Sequence, residues 1–181
     1  MRPLGRATLL LARWAGATAV AGAYVAVVYA AALLITMSAG DWTPDHIVGP
    51  ALALIGGVAT VAAVSLLGSV YLSTTANGIA VFMLFGAGLV AGLLGSIGNA
   101  LDNHTLEDVA RVTSWGLPFE ALFQAGLHAL ISDTSGLTGV ILQLGPFGVA
   151  HGAGIGLVPF TLAYVAIVLA LAVAAFSRRD L

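Results

Sequence analysis

Polar side chains are scarce in this chain, and three groups of them are spaced in ways that chemistry can use. Glu120, Gln124, His128 and Ser132 recur every four residues, which on a helix aligns a carboxyl, an amide and an imidazole along one face. Ser65, Ser69 and Ser73 repeat with the same period inside an otherwise apolar segment. Arg2 and Arg6 open the chain, ahead of Arg13. A carboxyl and an imidazole are groups for proton or metal chemistry. Hydroxyls suit the wall of a solute path, and guanidinium groups suit an acidic partner or an anionic lipid.

Spacing limits each group. Glu120 and His128 are eight residues apart, roughly 12 Å along a helix, so they cannot share a metal without another element. The four histidines, His46, His104, His128 and His151, are scattered. No Gly-x-Ser-x-Gly, His-Glu-x-x-His or paired-carboxylate motif occurs. A solvated face is therefore the simpler account of the Glu120 row. The sharper one makes Glu120, Gln124 and His128 the lining of a pathway or its exit. For Ser65 and Ser69 the simpler account is bonding of each hydroxyl to the preceding turn or to a neighbouring helix; the sharper one is a mildly polar pathway wall.

The chain has no cysteine, and all of its basic residues are arginines. Disulfides, Cys-ligated metals, a P-loop lysine and a Schiff-base lysine are thereby excluded. No catalytic residue, metal site or cofactor is read from the sequence, and none of these patterns makes the chain an enzyme.

The elements that must position these groups follow from charge. From His46 to Leu101 there is no Asp, Glu, Lys or Arg, and the runs Trp14 to Gly40 and Thr134 to Ser177 are also uncharged. A transmembrane helix needs about 20 predominantly apolar residues. Charged residues make up 8% of the chain and its mean hydropathy is +1.05, against roughly 25% charged residues in ordinary soluble domains. The reading is an all-α integral membrane protein, a single transmembrane domain over 1–181. Four spans are expected, at about 15–37, 51–72, 78–98 and 158–176. The breaker pair Gly49-Pro50 precedes the second, and the turn pair Asn77-Gly78 starts the third. A cleaved signal peptide fits the N-terminus less well, because the run from Trp14 outlasts a typical apolar core of 7–15 residues.

Arginine placement orients the spans. Arg2, Arg6, Arg13, Arg178 and Arg179 lie at the two ends, whereas Asp41, Asp45, Asp102, Glu107, Asp108, Glu120 and Asp133 lie in the connections between spans, with Arg111. Both termini are therefore expected on the cytoplasmic side, and the region 99–157 outside. Within it, Asn103 and Thr105 are helix-start residues, and Thr105-x-x-Asp108 approximates a capping box for an amphipathic helix from Leu106 to about Ser114. Asn103-His104-Thr105 also fits a glycosylation sequon, but the cap explains it better. Pro118 suits the first turn of another helix. Its Phe119, Leu122, Phe123, Gly126, Leu127 and Leu130 form one apolar stripe opposite the Glu120 row. At about 15 residues it is short for a span, so it is expected to lie in the interface or to dip in and return. Phe119, Phe123 and Leu127 would then face lipid or other helices, and Glu120 and Gln124 water or an exit. The Gly-rich stretch Leu137 to Gly156 is the candidate returning arm. Gly88-x-x-x-Gly92 in the third span predicts a close helix contact whose partner is not readable.

Arg2-Pro3-Leu4-Gly5-Arg6, followed by Leu9-Leu10-Leu11-Ala12-Arg13-Trp14-Ala15-Gly16, resembles a recurring signature of type-2 ABC transporter permeases, in the subfamily often annotated with multicopper-enzyme maturation. That family carries an RPLSR-like stretch before a KW-G start of its third span; here Gly5 replaces Ser and Arg13 replaces Lys. Ser73-Thr74-Thr75-Ala76-Asn77-Gly78 resembles the polar link between the family's fourth and fifth spans. Leu117-Pro118 and the helix behind it resemble the extracytoplasmic re-entrant region before the last span, and Ser177-Arg178-Arg179-Asp180-Leu181 resembles the family's C-terminal ending. Family members carry two more spans and a coupling segment upstream, so the chain corresponds to the C-terminal four-span portion.

The resemblance implies a permease subunit of an ATP-driven exporter, multi-pass in the bacterial inner membrane. Its expected partners are a separate ABC ATPase, a second permease copy (the same chain or a different one) and membrane lipids, with no nucleic acid. Arg2 and Arg6 are the candidates for ATPase docking. The reading from another class is a non-transporting membrane scaffold or assembly factor.

Overall fold

The computed structural model describes residues 5–40, 46–131 and 156–178. Six helices account for nearly all of them: α1 (Arg6–Gly40), α2 (Val48–Tyr71), α3 (Thr74–Leu101), α4 (His104–Gly116), α5 (Pro118–Ile131) and α6 (Leu157–Ser177). Among the described residues there is no strand. Four helices are long and apolar enough to cross a bilayer: Ala7–Ala39, Val48–Tyr71, Thr74–Gly95 and Leu157–Ser177. The spans expected from charge are all present, with longer boundaries. At 35 residues α1 rises about 52 Å, well beyond the ~30 Å of a hydrocarbon core.

Two local expectations are corrected. Gly49-Pro50 lies inside the first turn of α2 and does not precede it. Proline is tolerated there because the first helical N–H groups have no partner within the helix. Pro50 is fully buried, under α5, where its carbonyl lies 3.4 Å from the position a Cβ would take at Gly126. Asn77-Gly78 likewise forms no turn; α3 begins at Thr74 and runs through both residues.

The second span is the hub. α2 packs against α1, α3, α5 and α6, and its small residues permit it. Ala63 is fully buried in a cluster with Val168 and Leu169 of α6, flanked by Trp14 of α1 and Tyr164 of α6. Two hydrogen bonds tie α1 to α2: Trp14 Nε1 donates to the Ala59 carbonyl at mid-helix, at 3.1 Å, and the Tyr29 hydroxyl to the Ile47 carbonyl at the start of α2, at 2.9 Å.

α4 and α5 form a hairpin that re-enters the bundle. Asp102 takes a left-handed conformation (φ 49°) to end α3, a role that Asp tolerates better than most residues. Asn103 then caps α4, its Oδ1 accepting from Thr105 N–H at 3.1 Å and Leu106 N–H at 3.4 Å. The cap is thus Asn103, not Thr105, and Glu107 is the acid of the first turn. α4 returns along α3: Cβ atoms at Gly95 and Gly98 would meet Ala110 and Leu106, each at 3.0 Å. After Leu117 the chain reverses at Pro118, and α5 runs outward between α2 and α3. Phe119 lies beside Gly57, whose Cβ would be 3.6 Å from the Phe119 carbonyl. Gly57 is nine residues into α2, so the hairpin tip reaches about 13 Å below the start of that span. The inward arm of the hairpin is therefore α4 and the outward arm α5. Leu137 to Gly156 lies outside the described residues apart from Gly156. The tip is anchored to the last span: the Tyr164 hydroxyl donates to the Gly116 carbonyl at 3.0 Å, and Trp115 meets Phe160 edge-on at 5.0 Å.

Candidate functional site

Two groups of polar residues meet between helices of the bundle; the buried Thr60 and Thr161 instead bond within their own helices, to the Gly56 and Leu157 carbonyls. The first group is built by α1, α2 and the start of α3. Ser65 is one helical turn before Ser69 on α2, and Asn77, four residues into α3, reaches across to it. Asn77 Nδ2 donates to the Ser65 carbonyl at 3.0 Å and to Ser65 Oγ at 3.2 Å. Its side chain is 8% exposed and occupies the space left by Gly68, where a Cβ would collide with Asn77 Oδ1. Among the described residues that oxygen finds no hydrogen-bond partner. Ser69 Oγ donates to the Leu66 carbonyl at 2.7 Å, so the local-bonding account holds for Ser69, while Ser65 is engaged between helices.

These residues open onto a cavity of about 420 Å³ lined by Arg13, Trp14, Ser65, Ser69, Thr74 and Asn77 with four apolar neighbours. Ala17, Ala62 and Ser65 also border a second cavity, of about 440 Å³. This one continues up the same face of α2 to Ala53 and Val25 and is closed at the side by Phe119 and Phe123. Together they make one groove between α1 and α3, polar at the end where α1 begins and apolar along the rest. Arg13 also borders a smaller space of about 200 Å³ formed with Leu10, Val70 and Phe176. Among the described residues Arg13 makes no ion pair, and its side chain is exposed.

The second group is Glu120 and Gln124 on α5. Gln124 Nε2 donates to Glu120 Oε1 at 2.9 Å. Glu120 is only 6% exposed, and the pair lies over Gly88 and Gly92 of α3. A Cβ at Gly92 would fall onto Glu120 Oε1 and come within 2.8 Å of Gln124 Nε2; one at Gly88 would be 3.1 Å from the Phe119 ring. Phe119 also stacks on Phe85 with centroids 5.6 Å apart. Glu120 is thus turned away from water, contrary to that half of the expectation, while Gln124 stays partly exposed. The period of four was right, but the face opposite the apolar stripe meets α3, with glycines making room for the larger side chains. A carboxyl is thus held inside the helical bundle, though no acid lies within any of the four spans.

The five expected lining residues therefore separate. Ser65 and Ser69 border the groove, Glu120 and Gln124 turn onto α3, and His128 is exposed at the far end of α5. No group of three His, Asp or Glu side chains comes together among the described residues. Arg2 lies outside the described residues; Arg6 begins α1. Sequence reasoning missed Asn77 as a bridging residue, because an Asn-Gly pair reads as a turn. The available signal was that Asn77 would be the lone amide in an apolar run able to satisfy a serine on the preceding span. In the sequence Arg13 reads as a charge that orients the spans and as part of the permease-like stretch; its place at a cavity comes from the structure.

No protein-family model matches this chain, and no curated protein or solved structure does so either.

Proposed function

We propose that this chain is a membrane-spanning permease subunit of an ATP-driven ABC exporter, inserted in a bacterial inner membrane with both termini cytoplasmic. The observation that carries the reading is the α4–α5 hairpin, which dips into the bundle ahead of the last described span. The resemblance of the chain to type-2 permeases calls for a re-entrant element at that point. Charge supports the orientation. Arg13 and Arg178 mark the end where α1 begins and α6 ends, and Asp102, Glu107 and Asp108 mark the other. The exposed apolar residues of α1, among them Val20, Val27 and Leu34, suit lipid or the second permease copy.

Energy comes from elsewhere in this proposal. A chain without lysine has no P-loop, and it needs a separate ATPase docked at the arginine-bearing end, with Arg2 and Arg6 the candidate contacts. The test is co-expression with the Walker A ATPases of neighbouring reading frames, followed by affinity purification of the permease and assay of bound ATPase activity. The ATPase should co-purify, and Arg2→Ala with Arg6→Ala should weaken that association. A chain that purifies without any ATPase partner instead fits the scaffold or assembly-factor reading.

A further inference from the structure

We infer that the groove between α1 and α3 is a binding site for a phospholipid with an anionic headgroup, its phosphate at Arg13 and one acyl chain laid along α2. This goes beyond the transport proposal and does not depend on it. Three observations converge on an amphiphile. The polar end of the groove holds a guanidinium with no ion pair among the described residues, beside the Thr74 hydroxyl. It also receives the N-terminus of a 28-residue helix whose N-cap, Ser73, makes no side-chain capping bond, so the first N–H groups of α3 add donors and positive potential. Among the described residues no acid borders this cavity.

The second observation is continuity: Ala17, Ala62 and Ser65 are shared by the polar and the apolar cavity. The third is length. From Ser65 to Ala53 the apolar part follows α2 for twelve residues, about 18 Å of rise, close to the ~15 Å depth of one leaflet's hydrocarbon. A helix of a second copy would need no cation at one end, and a free phosphate no apolar trough behind it. The groove matches both halves of a phospholipid.

Trp14 walls the polar cavity and reports on its occupant. The experiment uses the full chain carrying Trp42→Phe and Trp115→Phe, reconstituted in phosphatidylcholine nanodiscs. These are doped with equal fractions of either bromine-labelled phosphatidylglycerol or bromine-labelled phosphatidylcholine, and quenching of Trp14 is read. Phosphatidylglycerol should be favoured about fivefold, as expected for one basic residue acting on an anionic lipid. Arg13→Gln should abolish the preference, Arg13→Lys should retain it, and Arg111→Gln at the opposite end should leave it unchanged. Circular dichroism of each variant establishes that it is folded. Equal quenching by both lipids would mean unselective filling by bulk lipid, and no quenching by either would mean that protein covers the groove. Relief of quenching by inorganic phosphate at matched ionic strength would mean a free-phosphate site. Each of these three results overturns the inference.

Discussion

Ser65 to Asn77 and Glu120 to Gln124 are both small polar clusters in apolar surroundings, each held by a hydrogen bond of about 3 Å, yet they end in opposite situations. In the first, Asn77 is itself buried against Gly68, but the cluster forms where two spans meet beside a groove, and Ser65 with its neighbours Ser69, Thr74 and Arg13 borders the cavity. The second is pressed against glycines until Glu120 is buried. The difference lies in what the facing helix presents. α3 offers Asn77 to α2, a side chain that reaches out, whereas it offers Gly88 and Gly92 to α5, which withdraw. Open polar clusters are places for ligands; closed ones specify how helices pack, because a buried polar group must find a partner or lose a hydrogen bond.

The largest effects should come from breaking the closed cluster with charge. If the polar row of α5 faced water, Phe123→Asp would cost several times more than Gln124→Asp. The structure sets a different expectation. Phe123 lines the apolar cavity, so an aspartate there faces the roughly 2.5–3.5 kcal/mol that insertion scales assign to charge at a helix centre. Gln124→Asp places a second carboxylate against Glu120 and removes the amide that donates to it, a penalty of comparable size. Both variants should lose membrane yield and thermal stability to similar extents. Normal behaviour of Gln124→Asp beside a damaged Phe123→Asp would return the row to water.

Glycine substitution sharpens the contrast at smaller cost. Gly92→Ala should destabilise by about 1–3 kcal/mol, since the new methyl group meets Glu120 and Gln124 and the helices must shift. Gly86→Ala, on the same helix with nothing within 4 Å of its would-be Cβ, should be neutral or gain up to about 1 kcal/mol from helix propensity. Thermal unfolding of the two purified variants decides it. Equal midpoints would mean that α5 does not press on α3.

The spans were legible because the exclusion of charge from lipid is a strong, local signal that survives without tertiary information. The existence of α4 was legible for the same reason, because its start signals serve their own helix, although the capping-box pattern pointed to Thr105 where Asn103 is the cap. The hairpin was only half legible. A helical period shows that Phe119, Leu122 and Gly126 share a face, but it does not say whether the opposite face meets water or protein. That answer is held by residues more than 25 positions earlier, at Gly88 and Gly92, as small side chains whose meaning depends on what packs there. Asn77 was misread for a related reason. As a dipeptide Asn-Gly favours a turn, and only the Ser65 carbonyl on another span makes a helical conformation satisfactory. The groove required three helices to be placed before any of its residues could be grouped.

The smallest effect should come from the charges of α4, and it completes the comparison. Asp108 and Arg111 lie one turn apart, with 3.6 Å between Oδ1 and Nη1, and both side chains are about two-thirds exposed (68% and 67%). An ion pair so exposed contributes about 0.2–1 kcal/mol at most, because water screens it and two long side chains lose freedom in forming it. Asp108→Asn and Arg111→Gln, singly or together, should therefore move the unfolding midpoint little, and less still at high salt. Glu120, a few residues further along the hairpin, carries the same kind of carboxyl but is buried beside an amide. Removing its side chain with Glu120→Ala should cost more than the α4 double variant at any salt concentration, since the loss is of a buried hydrogen bond and of packing against α3. If the two proved equally mild, Glu120 would have to be wet, and the closed cluster would lose its claim to fix the hairpin.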